Sequence, residues 1–172
     1  MGMMSSIEDS MFDAVKAITG YDDNHIIWAN RNVPEPNGTH VAMRHVHLNP
    51  MSGSNVSTLV KDGKQRTFQD HEWYLQFTFV GDNAADDVME FASRLNSPYL
   101  TEEFTKRNIS FLRKTHARSV PKMRETEYVQ CWNMECFFLV NIENKIDTPW
   151  IEQIKHTASY PPSSVTNTRT IP

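Results

Sequence analysis

His45 and His47 stand two residues apart in the run His40-Val41-Ala42-Met43-Arg44-His45-Val46-His47, and on a regular strand that spacing places both imidazoles on one face. Two imidazoles can hold a metal ion if a third ligand joins them, and His40, His71 or Glu72 are the side chains to supply it. The chemistry would be that of a metal-dependent enzyme. The simpler reading makes the pair polar residues on a solvent-facing strand. No nucleophile elbow, phosphate-binding loop, HExxH helix or paired-cysteine motif accompanies them. Scattered carboxylates and histidines assign no acid–base pair by themselves. Cys131 and Cys136 are the only cysteines. Five apart in a strand, they point to opposite faces, which predicts neither a disulfide between them nor a zinc site. The residues therefore favour a protein without catalysis, metal or cofactor.

Charge is the other property that selects a partner. Between Thr105 and Arg124 stand seven basic residues, Lys106, Arg107, Arg113, Lys114, Arg118, Lys122 and Arg124, and no acidic one. The net charge of -4 over 172 residues makes the remainder correspondingly acidic. A segment of this kind can meet DNA without sequence preference, or an acidic protein surface. It equally describes a sheet edge guarded by lysine and arginine. Its aromatic residues are not spaced for stacking on single strands.

The segment 26–38 must position whatever docks on this chain. Pro34 and Pro36 each fix φ and restrict the residue before them, and Asn37-Gly38 turns the chain back into a strand. A stiff connection suits a docking surface, and Pro34 and Pro36 are its candidate subunit contacts. Trp28, beside two isoleucines, reads as core, as do Trp73 and Trp132. Trp150 and Ile151, after Thr148-Pro149, read as interface.

A helix is predicted over residues 7–19, capped by Ser6, with Glu8 and Asp9 at its N-terminal dipole and Gly20 at its end. Ile7, Met11, Val15 and Ile18 form its buried stripe. Strands follow over 25–29 and 39–48, then a hairpin over 57–68 turning at Asp62-Gly63. The clearest strand is 72–80, with Trp73, Leu75, Phe77 and Phe79 on one face and Glu72, Tyr74, Gln76 and Thr78 on the other. Gly81-Asp82-Asn83 leads into a helix over 84–96, striped by Ala85, Val88, Met89, Ala92 and Leu95. A shorter helix after Thr101, a strand over 109–116, a break at Pro121 and a long apolar strand over 128–142 complete the order.

That order has no βαβ rhythm. It predicts an α+β domain over residues 1–154, a mostly antiparallel β-sheet packed by two or three helices. Residues 155–172, rich in Thr, Ser, Pro and Asn, read as a flexible C-terminal tail or an arm that orders on a neighbour, stiffened at Pro161-Pro162. With no long apolar run and no secretory signal, the expectation is a soluble protein that is not exported and has no membrane partner.

Trp28-Ala29-Asn30, Asn32, Pro34, Pro36 and Gly38, supported by the strand bearing Gln76, the Gly81-Asp82-Asn83-Ala84 turn and Phe137-Phe138-Leu139-Val140, carry a resemblance. Across residues 7–142 the chain resembles the bacteriophage neck or tail terminator family, with the lambda-type tail terminator fold. The resemblance implies a virion protein that forms a homo-oligomeric ring, hexameric in expectation, at the head-proximal end of a tail. Its implied partners are the tail tube, the sheath where one is present, the head connector or stopper, and DNA in the lumen. It would reside in the host cytoplasm during assembly. Another ring protein of the particle, an adaptor, head-completion or tube subunit, is the alternative.

Overall fold

The computed structural model describes residues 3–29, 31, 33–51, 57–61, 64–124 and 127–147. Helix α1 spans Met3–Thr19. It starts a turn before the predicted point, so Ser6 lies inside it and accepts from the Ser10 hydroxyl through its carbonyl. Gly20 ends the helix at φ 71, its N–H on the Lys16 carbonyl. Strands β1 (Ile26–Trp28), β2 (His40–Pro50), β3 (Ser57–Lys61) and β4 (Lys64–Val80) follow. Then come helices α2 (Ala84–Arg94) and α3 (Pro98–Lys106), and strands β5 (Ile109–Lys114), β6 (Arg118–Ser119), β7 (Lys122–Arg124), β8 (Glu127–Val129) and β9 (Cys131–Asp147). Ser97 caps α3 by accepting from the Leu100 amide, and Pro98 fills the first helical position, which needs no donor.

The main sheet runs β1-β2-β4-β9-β5, with β3 beside Lys64–Phe68 at the start of β4 and β6 beside the start of β9. The α+β expectation holds, and every pairing is antiparallel except that of β1 with β2. The hairpin strand and the Trp73 strand are one element, because β4 pairs with β9 without interruption from Lys64 opposite Asp147 to Val80 opposite Cys131. At about 3.3 Å per residue β4 has a contour of roughly 55 Å. Its first part, flanked by β3 and the end of β9, forms a three-stranded blade beyond the helix-covered body. The turn residues 62–63 lie outside the described residues.

All three helices cover one face of the sheet. Trp73, Leu75, Phe77 and Phe79 are fully buried on it, as the alternation predicts, together with Val41, Met43, Cys136 and Phe138. The stripe of α2 differs from the prediction: Val88, Phe91, Ala92 and Leu95 are buried, whereas Met89 is 64% exposed. Phe91 faces the sheet because Phe77 and Phe79 offer rings 4.9 and 5.3 Å from it, and tilted aromatic pairing outweighs a thioether at that position.

Candidate functional site

The metal reading of the histidines fails on strand geometry. Residues His45 and His47 pair with the adjacent residues Leu75 and Tyr74, so a β-bulge falls between them and sends them to opposite faces. His45 stacks on Trp28 with centroids 4.6 Å apart, and its Nε2 lies 2.8 Å from Glu8 Oε1. His47 instead meets the edge of Tyr74 on the far side of the sheet. His40 is fully buried near Glu35, and the His71 Nδ1 lies 3.1 Å from the Gln69 carbonyl. Among the described residues no three His, Cys, Asp or Glu side chains converge as a ligand set. Cys131 and Cys136 are both free and buried. Their partners Val80 and Leu75 lie on opposite faces, as the spacing requires.

The proline loop, residues 29–39, is tied at both ends. At its start Ala29 donates to the Met43 carbonyl, and Arg31 pairs with Glu8 of α1 while lying over the Trp28 ring. Trp28 is 8% exposed, which places it in the core. Further on, Lys122 reaches both Glu35 oxygens at 3.2 and 3.0 Å. Glu35 Oε1 also stands 3.3 Å from His40 Nε2, off the line of a hydrogen bond. Pro34 stays exposed and Pro36 half-buried, so the loop is a fixed ridge bearing proline on its outer side.

Among the described residues no helix covers the opposite sheet face, and only at one end do the proline ridge and the segment 120–122 bury His40, Val80 and Cys131 on it. Its side chains form rows across the strands, set by the register: Ala42, Thr78, Asn133 and Arg118; Arg44, Gln76 and Glu135; His47, Tyr74, Phe137 and Arg113. In the last row Tyr74 stacks on Phe137 at 4.4 Å, and Arg113 caps Phe137 at 3.9 Å. Loss of water contact, then a hydrogen bond to Glu135, pushes the Tyr74 hydroxyl up to about 12. At the other end of this face the proline ridge and the segment 120–122 stand as two walls around a trough of about 530 Å³. Its floor is Ala42, Gln76, Thr78 and Asn133, and the Asn133 Oδ1 is buried without a hydrogen-bond partner. Val33 and Val120, 55% and 47% exposed, sit on the two walls.

The seven basic residues do not form one stripe. Lys106 pairs with Glu102 and Glu103 on its own helix, and Arg107 with Asp13 of α1. Arg113 pairs with Glu72, Lys122 with Glu35, and the Lys114 ammonium donates to the Ala92 carbonyl. Arg118 lies on the uncovered face, and Arg124 ends β7 opposite Glu127. Because acids from distant elements meet these cations, the charge run in the sequence becomes a set of mixed pairs in space. Trp150 and Ile151 lie outside the described residues. The sequence reading missed the uncovered face itself, and also the β7–β8 hairpin, which exposes Met123 and Tyr128 opposite each other.

No curated protein matches the chain. The sheath/tube terminator of an extracellular contractile injection system, PVC, in its extended state is similar at 12% identity and a TM-score of 0.45, over 93% of this chain and 65% of that one. The chain thus spans about two-thirds of that structure's length. A chain of the virion of a native gene transfer agent particle is similar at 13% identity and a TM-score of 0.38, over 83% of this chain and 95% of that one. A family model described as phage neck terminator protein matches residues 6–164, and by that match the chain belongs to the phage neck terminator family.

Proposed function

We propose that this protein forms a closed ring, a hexamer, at the head-proximal end of a phage tail, where it stops growth of the tail tube and joins it to the head connector. The observation that carries this reading is the family match over residues 6–164. The geometry supports a structural role: one sheet face is sealed by helices, the other is open, and a stiff ridge and a projecting blade flank it. Such a protein works by shape and interface burial, with no bond made or broken. Repetition around a ring multiplies weak contacts, those with DNA in the lumen or with an acidic neighbouring ring included. The sheath, where one is present, is a further neighbour.

Cryo-EM of intact virions or assembled tails tests this directly. Density for the chain should close into a ring between the tube and the head connector. Density at another level would favour an adaptor, head-completion or tube subunit instead, and absence from the particle would sink the structural reading.

A further inference from the structure

The uncovered sheet face and the outer side of α2 lie on opposite sides of the molecule and carry opposite unpaired charge. On the open face, Arg44 of β2 and Arg118 of β6 have no ion-pair partner among the described residues. Sheet spacing puts them roughly 15 Å apart across the strands. Between them lie the trough and the buried, unpartnered Asn133 Oδ1.

On the other side, Asp82 and Asp86 are exposed and equally without an ion-pair partner among the described residues. Met89 projects from the same side of α2, 64% exposed. Asn83, at the helix start, makes no capping bond with its side chain, so its amide N–H is free to donate.

We propose that the trough receives the start of α2 from a second copy of this chain, with Asp82 and Asp86 drawn to Arg44 and Arg118. The Asn83 amide answers the Asn133 acceptor, and Met89 settles between Val33 and Val120. An exposed thioether is adaptable enough to fill the gap between two aliphatic walls. The contact is heterologous, because the helix side of one subunit meets the bare sheet of the next, and such contacts close into rings when the rotation allows. This inference rests on the ring reading and names the surfaces that make it. Glu35 and Glu135 border the same face, which disfavours a continuous run of phosphates as the occupant.

The test is charge exchange, read as rings on assembled tails. Arg44→Glu with Arg118→Glu is expected to lower the fraction of tails carrying a ring by about tenfold or more, since like charges then face each other at every interface. Asp82→Arg with Asp86→Arg should do the same, and the chain carrying all four changes should recover. Failure of the four-change chain to recover, or normal rings from either pair alone, overturns the proposal. Loss confined to the arginine pair also overturns it and points to DNA.

A second variant does not depend on reversed charge. Met89→Cys with Val120→Cys should give covalent multimers on mild oxidation of assembled tails, because the two positions lie on opposite sides of one subunit and cannot bridge within it. Monomers alone from variant tails that retain the ring overturn the proposal. A missing ring in wild-type tails defeats the ring reading itself, whereas a ring indifferent to these changes defeats only this interface.

Discussion

The Trp73 indole N–H donates to Nδ1 of His45 at 3.0 Å, and this one bond fixes the histidine's tautomer. With Nδ1 accepting, Nε2 carries the proton and donates it to Glu8. His45 therefore joins α1, β2 and the fully buried core tryptophan of β4. His45→Ala leaves the Trp73 N–H without an acceptor, at a cost of about 1–3 kcal/mol. For a domain of this size each kcal/mol lowers Tm by roughly 2–4 °C. Thermal melts of His45→Ala, Trp73→Phe and the double variant should show coupling between the two. Strict additivity would refute the assignment.

Gly81 joins β4 to α2 at φ 125, and a Cβ there would lie 2.6 Å from Thr39 Oγ1 and 2.9 Å from Thr39 Cα. The backbone atom cannot rotate away. Gly81→Ala therefore combines backbone strain of about 1–3 kcal/mol with a clash. Gly20→Ala, at φ 71 in open space, meets only the left-handed penalty of about 1–2 kcal/mol. Denaturant midpoints should rank Gly81→Ala as the more damaging change, and the reverse order would contradict the close approach.

Glu35 fastens the proline ridge to Lys122 and faces the fully buried His40. Glu35→Ala should free residues 33–37 without unfolding the sheet, and hydrogen exchange at the Val33 amide should accelerate. Lys122→Ala removes only the exposed ion pair, worth less than about 1 kcal/mol, and should accelerate that exchange less than Glu35→Ala does. Equal protection in wild type and Glu35→Ala would mean that the prolines alone hold the ridge.

Tyr74 gives alkaline pH a target. Burial and the Glu135 carboxylate raise its hydroxyl from 10.0 to about 12, so the folded state keeps a proton that the unfolded chain has already lost. Its contribution is whole below pH 10 and disappears as pH rises to about 12. Urea midpoints of wild type should fall over that window, and Tyr74→Phe should fall less steeply. Identical slopes would remove Tyr74 from the account.

Burial also raises both thiols, that of Cys136 to about 12. Thiolate is the reactive form, so neither cysteine should react with a disulfide reagent near neutral pH until the protein unfolds. Prompt labelling of the folded protein at either residue would show that the core opens there.

The parts of the fold legible in sequence are those set by local period. Trp73 to Phe79 alternates over a strand buried on one face, and nothing else fits that pattern. On α2 the period is shared by two overlapping stripes, one through Met89 and one through Phe91. Only the position of Phe77 and Phe79 across the interface decides between them. The bulge between His45 and His47 carries no glycine or proline to announce it, so the spacing misled. The ridge was recognisable from its prolines, but Glu8 and Lys122, which bind it, come from distant elements. Pairing of cations with distant acids likewise dissolved the basic run.

The uninterrupted register of β4 with β9 also dictates when the molecule can fold. Val80 and Cys131 are 51 positions apart in the chain, and Lys64 and Asp147 are 83 apart. The central ladder is thus made of distant partners, and chains dominated by such pairings fold in milliseconds to seconds rather than microseconds. Until β9 has been synthesised, Trp73, Leu75, Phe77 and Phe79 have no neighbour on that side. An incomplete chain therefore cannot present a finished sheet to anything. The sheet is complete only once β9 has been made.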